Sequence, residues 1–300
     1  MGTRRVGHAG TLDPFATGLL LLAWGRATRL LAFLSGAAKT YQGVMRLGVV
    51  TDTGDPTGRV LETRTPAPDA FDPKRVEESA RAFRGVITQR AQAYSAIKQA
   101  GEALHRKARR GEAVEPPSRE VVVHALDVGA IDPEAGTIAF AATCSSGTYV
   151  RSLAEDWGRA LGPGASLVAL RRTAIGPHGA LGAVPTDDLL ERPVGSIPDW
   201  NERLAHAGLT PEDALAFLPR LTLDPQAAAD LALGRAPARR RALDAGLPER
   251  APAIRLTDEA GMLLGVAALA ADPLASVPGP DAPLELRLVW SVAQAEESRA

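Results

Sequence analysis

The string Gly7-His8-Ala9-Gly10-Thr11-Leu12-Asp13-Pro14-Phe15-Ala16-Thr17-Gly18 holds one imidazole and one carboxylate among three glycines. Backbone so rich in glycine either bends sharply or lets a ligand come close. A carboxylate fixed on such a loop can serve as a nucleophile or as a base. Taken alone, Asp13-Pro14 is a turn starter, and His8 could do no more than satisfy a loop carbonyl. The loop is not a Walker P-loop, because no Gly-Lys-Ser/Thr follows it, and it lacks the Rossmann spacing. A serine hydrolase using His8, Asp13 and Ser145 is a rival reading, but the chain has no Gly-x-Ser-x-Gly elbow.

The elements around the loop must hold it in place. Gly18–Trp24 reads as a strand entered directly from the loop, followed by a helix over Ala27–Leu34. Lys39–Val50 reads as a strand with Tyr41, Gly43, Met45 and Leu47 on one face. On its own, Tyr41 reads first as a half-buried strand aromatic. Asp72-Pro73 caps a helix whose stripe is Val76, Ala80 and Phe83, and Gly85 ends it. Arg119–Ile131 and Gly136–Ser145 form two strands joined by the turn Asp132-Pro133-Glu134-Ala135. Val150, Leu153, Ala154, Trp157 and Leu161 repeat at helical spacing, and Gly162 closes that helix. Arg151 lies in its first turn, where a surface pair with Asp156 is the plain alternative to a functional role. Strands paired in hairpins and separated by short helices predict an α+β fold with a mixed sheet. Lys98–Pro117, helical and basic in its first half, reads as a lobe projecting from that sheet. Pro177–Pro219 reads as short helices and a boundary. Ile254–Thr257, Leu263–Ala268 and Leu284–Val289 are strand candidates of a small C-terminal β domain.

Composition narrows the function classes. The 300 residues are 45% hydrophobic and 23% charged, as in an ordinary globular protein. The longest strong apolar run, Leu19–Trp24, is strand-sized, and no secretory signal opens the chain, so a cytoplasmic protein is expected. The single cysteine, Cys144, excludes an intrachain disulfide and a cysteine zinc site, and its alternation with Ile138, Phe140 and Ala142 reads as packing. The net charge of −1 conceals segregation. Residues 1–59 carry seven Lys/Arg against three Asp, Lys98–Arg119 six against three acids, and Arg235–Arg241 four against none. Gly182–Ala216 holds seven acids and two arginines. Separated basic surfaces suit a polyanion, and solvated helix faces would give the same counts.

The glycine-rich string resembles the signature of the bacterial tRNA pseudouridine-55 synthases of the TruB type, Gly-His-x-Gly-x-Leu-Asp-Pro-x-Ala-x-Gly. The resemblance continues in register from Gly7 to Val292. Lys39-Thr40-Tyr41 is similar to the family's Lys-x-Tyr strand, and Leu47-Gly48 leads as expected to Thr51-Asp52-Thr53 and Asp55. Tyr94-Ser95-Ala96-Ile97-Lys98 resembles the opening of its thumb-like insertion, Gly147-Thr148-Tyr149-Val150-Arg151 its Gly-Thr-Tyr-Ile/Val-Arg segment, and Leu170-Arg171-Arg172 its Leu-Arg-Arg strand. Two departures stand out. Arg90-Ala91-Gln92-Ala93 replaces a proline-containing pair, and the family's N-terminal strand and Lys-Pro element are missing ahead of Gly7, so a natural start upstream of Met1 is expected.

The resemblance implies a mixed, largely antiparallel sheet of the pseudouridine synthase fold over residues 1–218, with a helical thumb-like insertion at about 95–118. A small PUA-like RNA-binding domain would follow at 219–295. It implies isomerisation of the tRNA uridine at position 55, in the T-arm stem-loop, by a monomer with no cofactor, metal, guide RNA or obligatory protein partner. Asp13 would be nucleophile or base, and Arg151 would pair with it and keep it ionised. Tyr41 would stack on the flipped base and take part in proton transfer. His8 would contact the RNA, with Tyr149 and Leu170 lining the uridine pocket. Lys98, Arg106, Lys107, Arg109 and Arg110 would hold the RNA backbone. A non-catalytic tRNA-binding or tRNA-folding protein using the same surfaces is the alternative.

Overall fold

Alternation builds the central sheet. In the strand Thr137–Cys144 every second side chain, Ile138, Phe140, Ala142 and Cys144, is buried, as a strand with one face on a core requires. The computed structural model describes residues 5–90, 98–99, 102–103, 117–186, 208–248, 251, 253–269 and 279–289. The chain divides into two units, His8–Leu22 with Leu34–Pro185, and Met1–Gly7 with Ala23–Phe33 and Thr186–Ala300.

The first unit is built on a seven-stranded sheet. Six strands run in the order His178–Gly179, Ala165–Ile175, Lys39–Leu47, Thr137–Cys144, Ser118–Asp132, Gly85–Arg90. Each is antiparallel to its neighbour. Thr17–Gly18 adds the one parallel pairing, beside Arg171–Arg172. The expected α+β class and mixed, largely antiparallel sheet are therefore what the chain adopts. The helix Val150–Leu161 lays Leu153, Trp157 and Leu161 against the sheet and ends at Gly162 with φ 115°. Trp157 meets Phe140 edge to face, ring centroids 5.9 Å apart. Truncating a buried side chain of this size typically costs about 3–5 kcal/mol. The helix Pro73–Arg81 is capped as its sequence predicts, Arg75 N–H donating to Asp72 Oδ1 at 3.0 Å, and it buries Val76 and Ala80 in the same core.

The second unit has its own core around Leu221, Leu231, Leu256, Leu264 and Leu284. Its four-stranded sheet runs Arg220–Thr222, Ile254–Thr257, Leu263–Ala268, Glu285–Val289. Helices Pro225–Ala232 and Arg239–Asp244, which strand patterning does not reveal, complete it.

Four expectations need correction. Gly18–Trp24 is not one strand: Thr17–Gly18 joins the large sheet, and Leu22–Trp24 belongs to a separate two-stranded sheet. Gly18, at φ 101°, turns the chain out between them. Lys39–Val50 likewise breaks at Gly48, φ 77°, after which Val49–Thr51 pairs with Val60–Thr63. The insertion is not helical over residues 98–103, since Lys98–Gln99 pairs antiparallel with Glu102–Ala103. Finally, Arg235–Arg241 is not an open basic patch. Arg235 pairs with Asp230 at 3.3 Å, Arg240 with Asp281 at 3.0 Å and Arg241 with Asp224 at 2.5 Å, while Arg239 is buried. Two of those three acids are distant in sequence, so a local charge count misses them.

Candidate active site

Asp13 stands on a loop closed at its neck by Ala9 N–H donating to Leu21 O at 3.0 Å. Within the loop, Ala16 N–H returns to Asp13 O at 2.9 Å, the turn that Asp-Pro starts. Gly18 lets the loop meet the sheet. A Cβ there would lie 2.2 Å from the main-chain oxygen of Arg172, so only glycine allows the contact through which Leu19 N–H donates to that oxygen at 2.8 Å.

Arg151 projects from the first turn of the helix Val150–Leu161 and is almost fully buried. Its Nε donates to Asp13 Oδ2 at 3.0 Å and its Nη2 to Asp13 Oδ1 at 2.9 Å, a bidentate pair. Nη1 donates to Thr53 O at 2.8 Å and lies 3.4 Å from Asp55 Oδ2. Asp55, 3% exposed, accepts at Oδ1 from Thr53 Oγ1, Thr57 N and Thr57 Oγ1 at 2.8, 2.9 and 2.6 Å. The guanidinium thus bridges a sealed carboxylate and an accessible one, Asp13 keeping 29% of its side chain exposed. The alternative partner, Asp156, pairs with Arg159 instead.

Tyr41 stands half-buried on the sheet face it shares with Gly43, Met45 and Leu47. Burial holds its phenol above the usual range, the Arg172 guanidinium pulls it down through charge and a hydrogen bond, and Cys144 and Asp13 push it up. Leu170 lies opposite Gly43, and Arg172 opposite Tyr41. Tyr149 occupies the N-cap position of the Arg151 helix, under the Arg119 guanidinium at 4.9 Å from the ring centroid. Its peptide is held on both sides by buried Gln89, whose Nε2 donates to Tyr149 O at 2.9 Å and whose Oε1 accepts from Tyr149 N at 2.7 Å. His8 is exposed at the start of the loop. The structure therefore brings Asp13 and Arg151 together within electrostatic reach of Tyr41, sets Leu170 on the strand beside that of Tyr41, and puts Tyr149 at the N-cap of the Arg151 helix. Lys98 is described only as a strand residue, and Arg106, Lys107, Arg109 and Arg110 lie outside the described residues.

Ser145 Oγ accepts from Val122 N at 2.9 Å and lies beside Thr148, a turn role and not a nucleophile's. Cys144 is fully buried, which pushes its thiol to about 12. Among the described residues no cluster of His, Cys, Asp and Glu could hold a metal ion, and no helix is long and apolar enough to cross a membrane.

Residues 1–150 match the family model described as TruB family pseudouridylate synthase (N terminal domain). The chain belongs to that family. A tRNA pseudouridine synthase B of Synechococcus sp. (strain WH7803) is 41% identical over 267 residues, 89% of this chain and 84% of the relative. The protein of the same name from Corynebacterium diphtheriae is 39% identical over 268 residues, 87% and 85% of the two chains. Among solved structures, a chain in the crystal structure of a Cbf5-Nop10-Gar1 complex aligns at TM-score 0.70 with 23% identity, covering 98% of this chain and 79% of that one. At such identity the likeness speaks for the fold.

Three residues that hold this arrangement together were given no role by reasoning from residue types: Asp55, Gln89 and Arg172. Asp55 was legible as part of a motif, without a partner. Gln89 carried no signal, because a buried amide bonding a distant peptide leaves no spacing pattern. Arg172 was likewise part of a motif, and its facing was concealed by β-bulges between Leu167 and Ala169 and between Arg172 and Ala174. Strict alternation puts Leu167 and Arg172 on opposite faces, whereas the first bulge brings both onto the face of Met45 and Tyr41.

Proposed function

We propose that this chain isomerises the uridine at position 55 in the T-arm of tRNA to pseudouridine, with Asp13 as the carboxylate that acts on it. The N1–C1′ bond breaks, the freed uracil turns, and C5 bonds to C1′; the proton lost from C5 is balanced by one gained at N1. Product and substrate are isomers, so the chemistry calls for neither a redox partner nor a phosphate donor. The observation that carries the reading is the bidentate Arg151–Asp13 pair, which fixes an accessible carboxylate beside the Tyr41 phenol.

In this reading Asp13 attacks the sugar or the ring, and Arg151 keeps it ionised and aimed. Tyr41 stacks on the flipped uracil, Leu170 and Tyr149 border it, and His8 contacts the RNA around the vacated position. The thumb-like insertion grips phosphates, and the unit with the Arg220–Thr222 strand acts as a PUA-like RNA-binding domain. The protein works as a cytoplasmic monomer on free tRNA, without guide RNA.

The test is Asp13→Asn, which keeps the side chain's size and removes its charge. On an unmodified tRNA transcript the variant should bind like wild type, because affinity for RNA rests on basic surfaces. Pseudouridine formation, read by mass spectrometry, should fall by at least ~10²–10⁴. A variant that binds and still turns over comparably would refute the role of Asp13. Wild-type protein that binds tRNA without making pseudouridine would favour a tRNA-binding or tRNA-folding role.

A further inference from the structure

We infer that Arg172 is the positioning residue that locks the carboxylate loop to the Tyr41 phenol, one buried guanidinium holding both halves of the site in register. The inference rests on the active-site reading above and concerns a residue that reading leaves without a role.

Arg172 is 1% exposed, and among the described residues no carboxylate pairs with it. Its donors go to oxygens of the site. Nε donates to Leu19 O at 2.8 Å, Nη2 to Gly10 O at 3.0 Å and Nη1 to Thr11 O at 3.3 Å, and Arg172 stands directly across the strand pair from Tyr41, whose phenol its charge pulls down. Gly10 and Thr11 precede Asp13 by three and two residues, and Leu19 follows it by six. The loop is thereby gripped on both sides of the carboxylate. The main chain of Arg172 takes part as well, accepting from Leu19 N–H and pairing with Gly18.

Apart from Arg172, the loop is held by the Arg151 pair at Asp13 and by Phe15 and Ala16 against the core. Its internal main-chain bonds are the neck at Ala9 and the turn at Asp13. The carbonyls of Gly10 and Thr11 face a buried cation, and a buried charge without a counter-ion persists only where dipoles surround it. Three carbonyl acceptors spread around the group suit the planar five-donor fork of arginine, and lysine, a point donor on a flexible stem, cannot reach all three. The register links the fork to the chemistry, because Tyr41 is the residue opposite Arg172. Among the described residues, no hydrogen bond joins the segment of Tyr41 directly to that of Asp13, and Arg172 bonds the loop of one and faces the other across the strand pair.

The experiment compares Arg172→Met and Arg172→Lys with wild type, using Tyr41→Phe as reference. Two readouts separate positioning from mere stability. The first is the single-turnover rate at saturating tRNA against tRNA affinity: both variants should bind like wild type, while the rate falls on the order of 10²-fold, as small misplacements of reacting groups do. The second is direct titration of the Tyr41 phenol by its ultraviolet absorption. The chain has three tyrosines, so subtracting the Tyr41→Phe signal isolates one. Biosynthetic replacement with a more acidic fluorotyrosine keeps the titration within the range of the folded protein.

The charged groups acting on this phenol are Arg172, which lowers it, and Asp13 and Cys144, which raise it. Arg172→Met should move the titration to higher pH. Arg172→Lys, which keeps the charge, should leave it nearer wild type without recovering the rate. Wild-type rates in both variants, or an unmoved phenol in Arg172→Met, would overturn the inference. If Arg172→Met does not fold, Arg172→Lys decides it: a wild-type rate refutes the role and a slow, tRNA-binding variant supports it. Should wild-type protein itself make no pseudouridine, the functional reading fails while the titration still tests the Arg172–Tyr41 link.

Discussion

Arg151→Met should separate the stability of the site from its chemistry. The substitution roughly keeps side-chain length and removes the cation between Asp13 and Asp55. Two unit charges about 4 Å apart attract by ~4 kcal/mol near a protein surface. The Asp13 contribution is reduced by water, since that side chain is 29% exposed. Asp55 has no such relief: at 3% exposed, its Oδ2 would lose the guanidinium 3.4 Å away. Stranding a buried carboxylate typically costs about 3–5 kcal/mol, a large part of the ~5–15 kcal/mol that holds a domain together. For a unit of this size the melting temperature should drop by roughly 6–20 °C. Adding Asp55→Asn removes the stranded charge while its amide oxygen still accepts from Thr53 and Thr57. Most of the lost stability should return. The pseudouridine-forming rate should stay low, because Asp13 still lacks the group that orients it. Thermal unfolding followed by circular dichroism and single-turnover assays on tRNA give both quantities. An unshifted melting temperature in the single variant, or a wild-type rate in the double variant, would refute this division of roles.

Replacing Arg106, Lys107, Arg109 and Arg110 with Ala should weaken tRNA binding and flatten its salt dependence, by roughly 0.7–0.9 in log–log slope for each phosphate no longer neutralised. The rate at saturating tRNA should change less, and titrations at several salt concentrations check both. Cys144 predicts an alkaline weakness. Burial raises its thiol from 9.0 to about 12, so the folded state holds the proton more tightly than the unfolded state. Stability from this group is complete below about pH 9 and is lost as pH rises towards 12, about 4 kcal/mol in all. Denaturant unfolding across that range should show a shallower decline for Cys144→Ala than for wild type.

Much of this molecule was legible in its sequence where one face of an element is buried. Ile138, Phe140, Ala142 and Cys144 alternate, Val150 to Leu161 repeats at helical spacing, and Asp72-Pro73 caps as such pairs do. Asp13, Tyr41 and Arg151 were legible as a family pattern, and their convergence is a matter of distance, supplied by the 2.9 Å and 3.0 Å bonds of the ion pair. What stayed hidden depends on partners far along the chain. The apolar run after Gly18 reads as one strand because periodicity cannot report that Leu19 turns to Arg172. The Arg235–Arg241 run reads as a polyanion site because Asp281 and Asp224 sit 41 and 17 residues from the arginines they neutralise.

The strand Lys39–Leu47 lies in the middle of the large sheet, between Thr137–Cys144 and Ala165–Ile175. Lys39 pairs with Cys144 on one side and with Ile175 on the other, and both neighbouring strands are encoded roughly 90 residues or more downstream. At synthesis rates of about 5–20 residues per second, the ribosome leaves this strand without either partner for roughly 5–20 s. Its two edges and its apolar face, with Met45 and Leu47, are open throughout that interval, a template for wrong pairing. The arrangement that sets Tyr41 in the middle of the finished sheet also leaves its strand waiting longest for its own two neighbours.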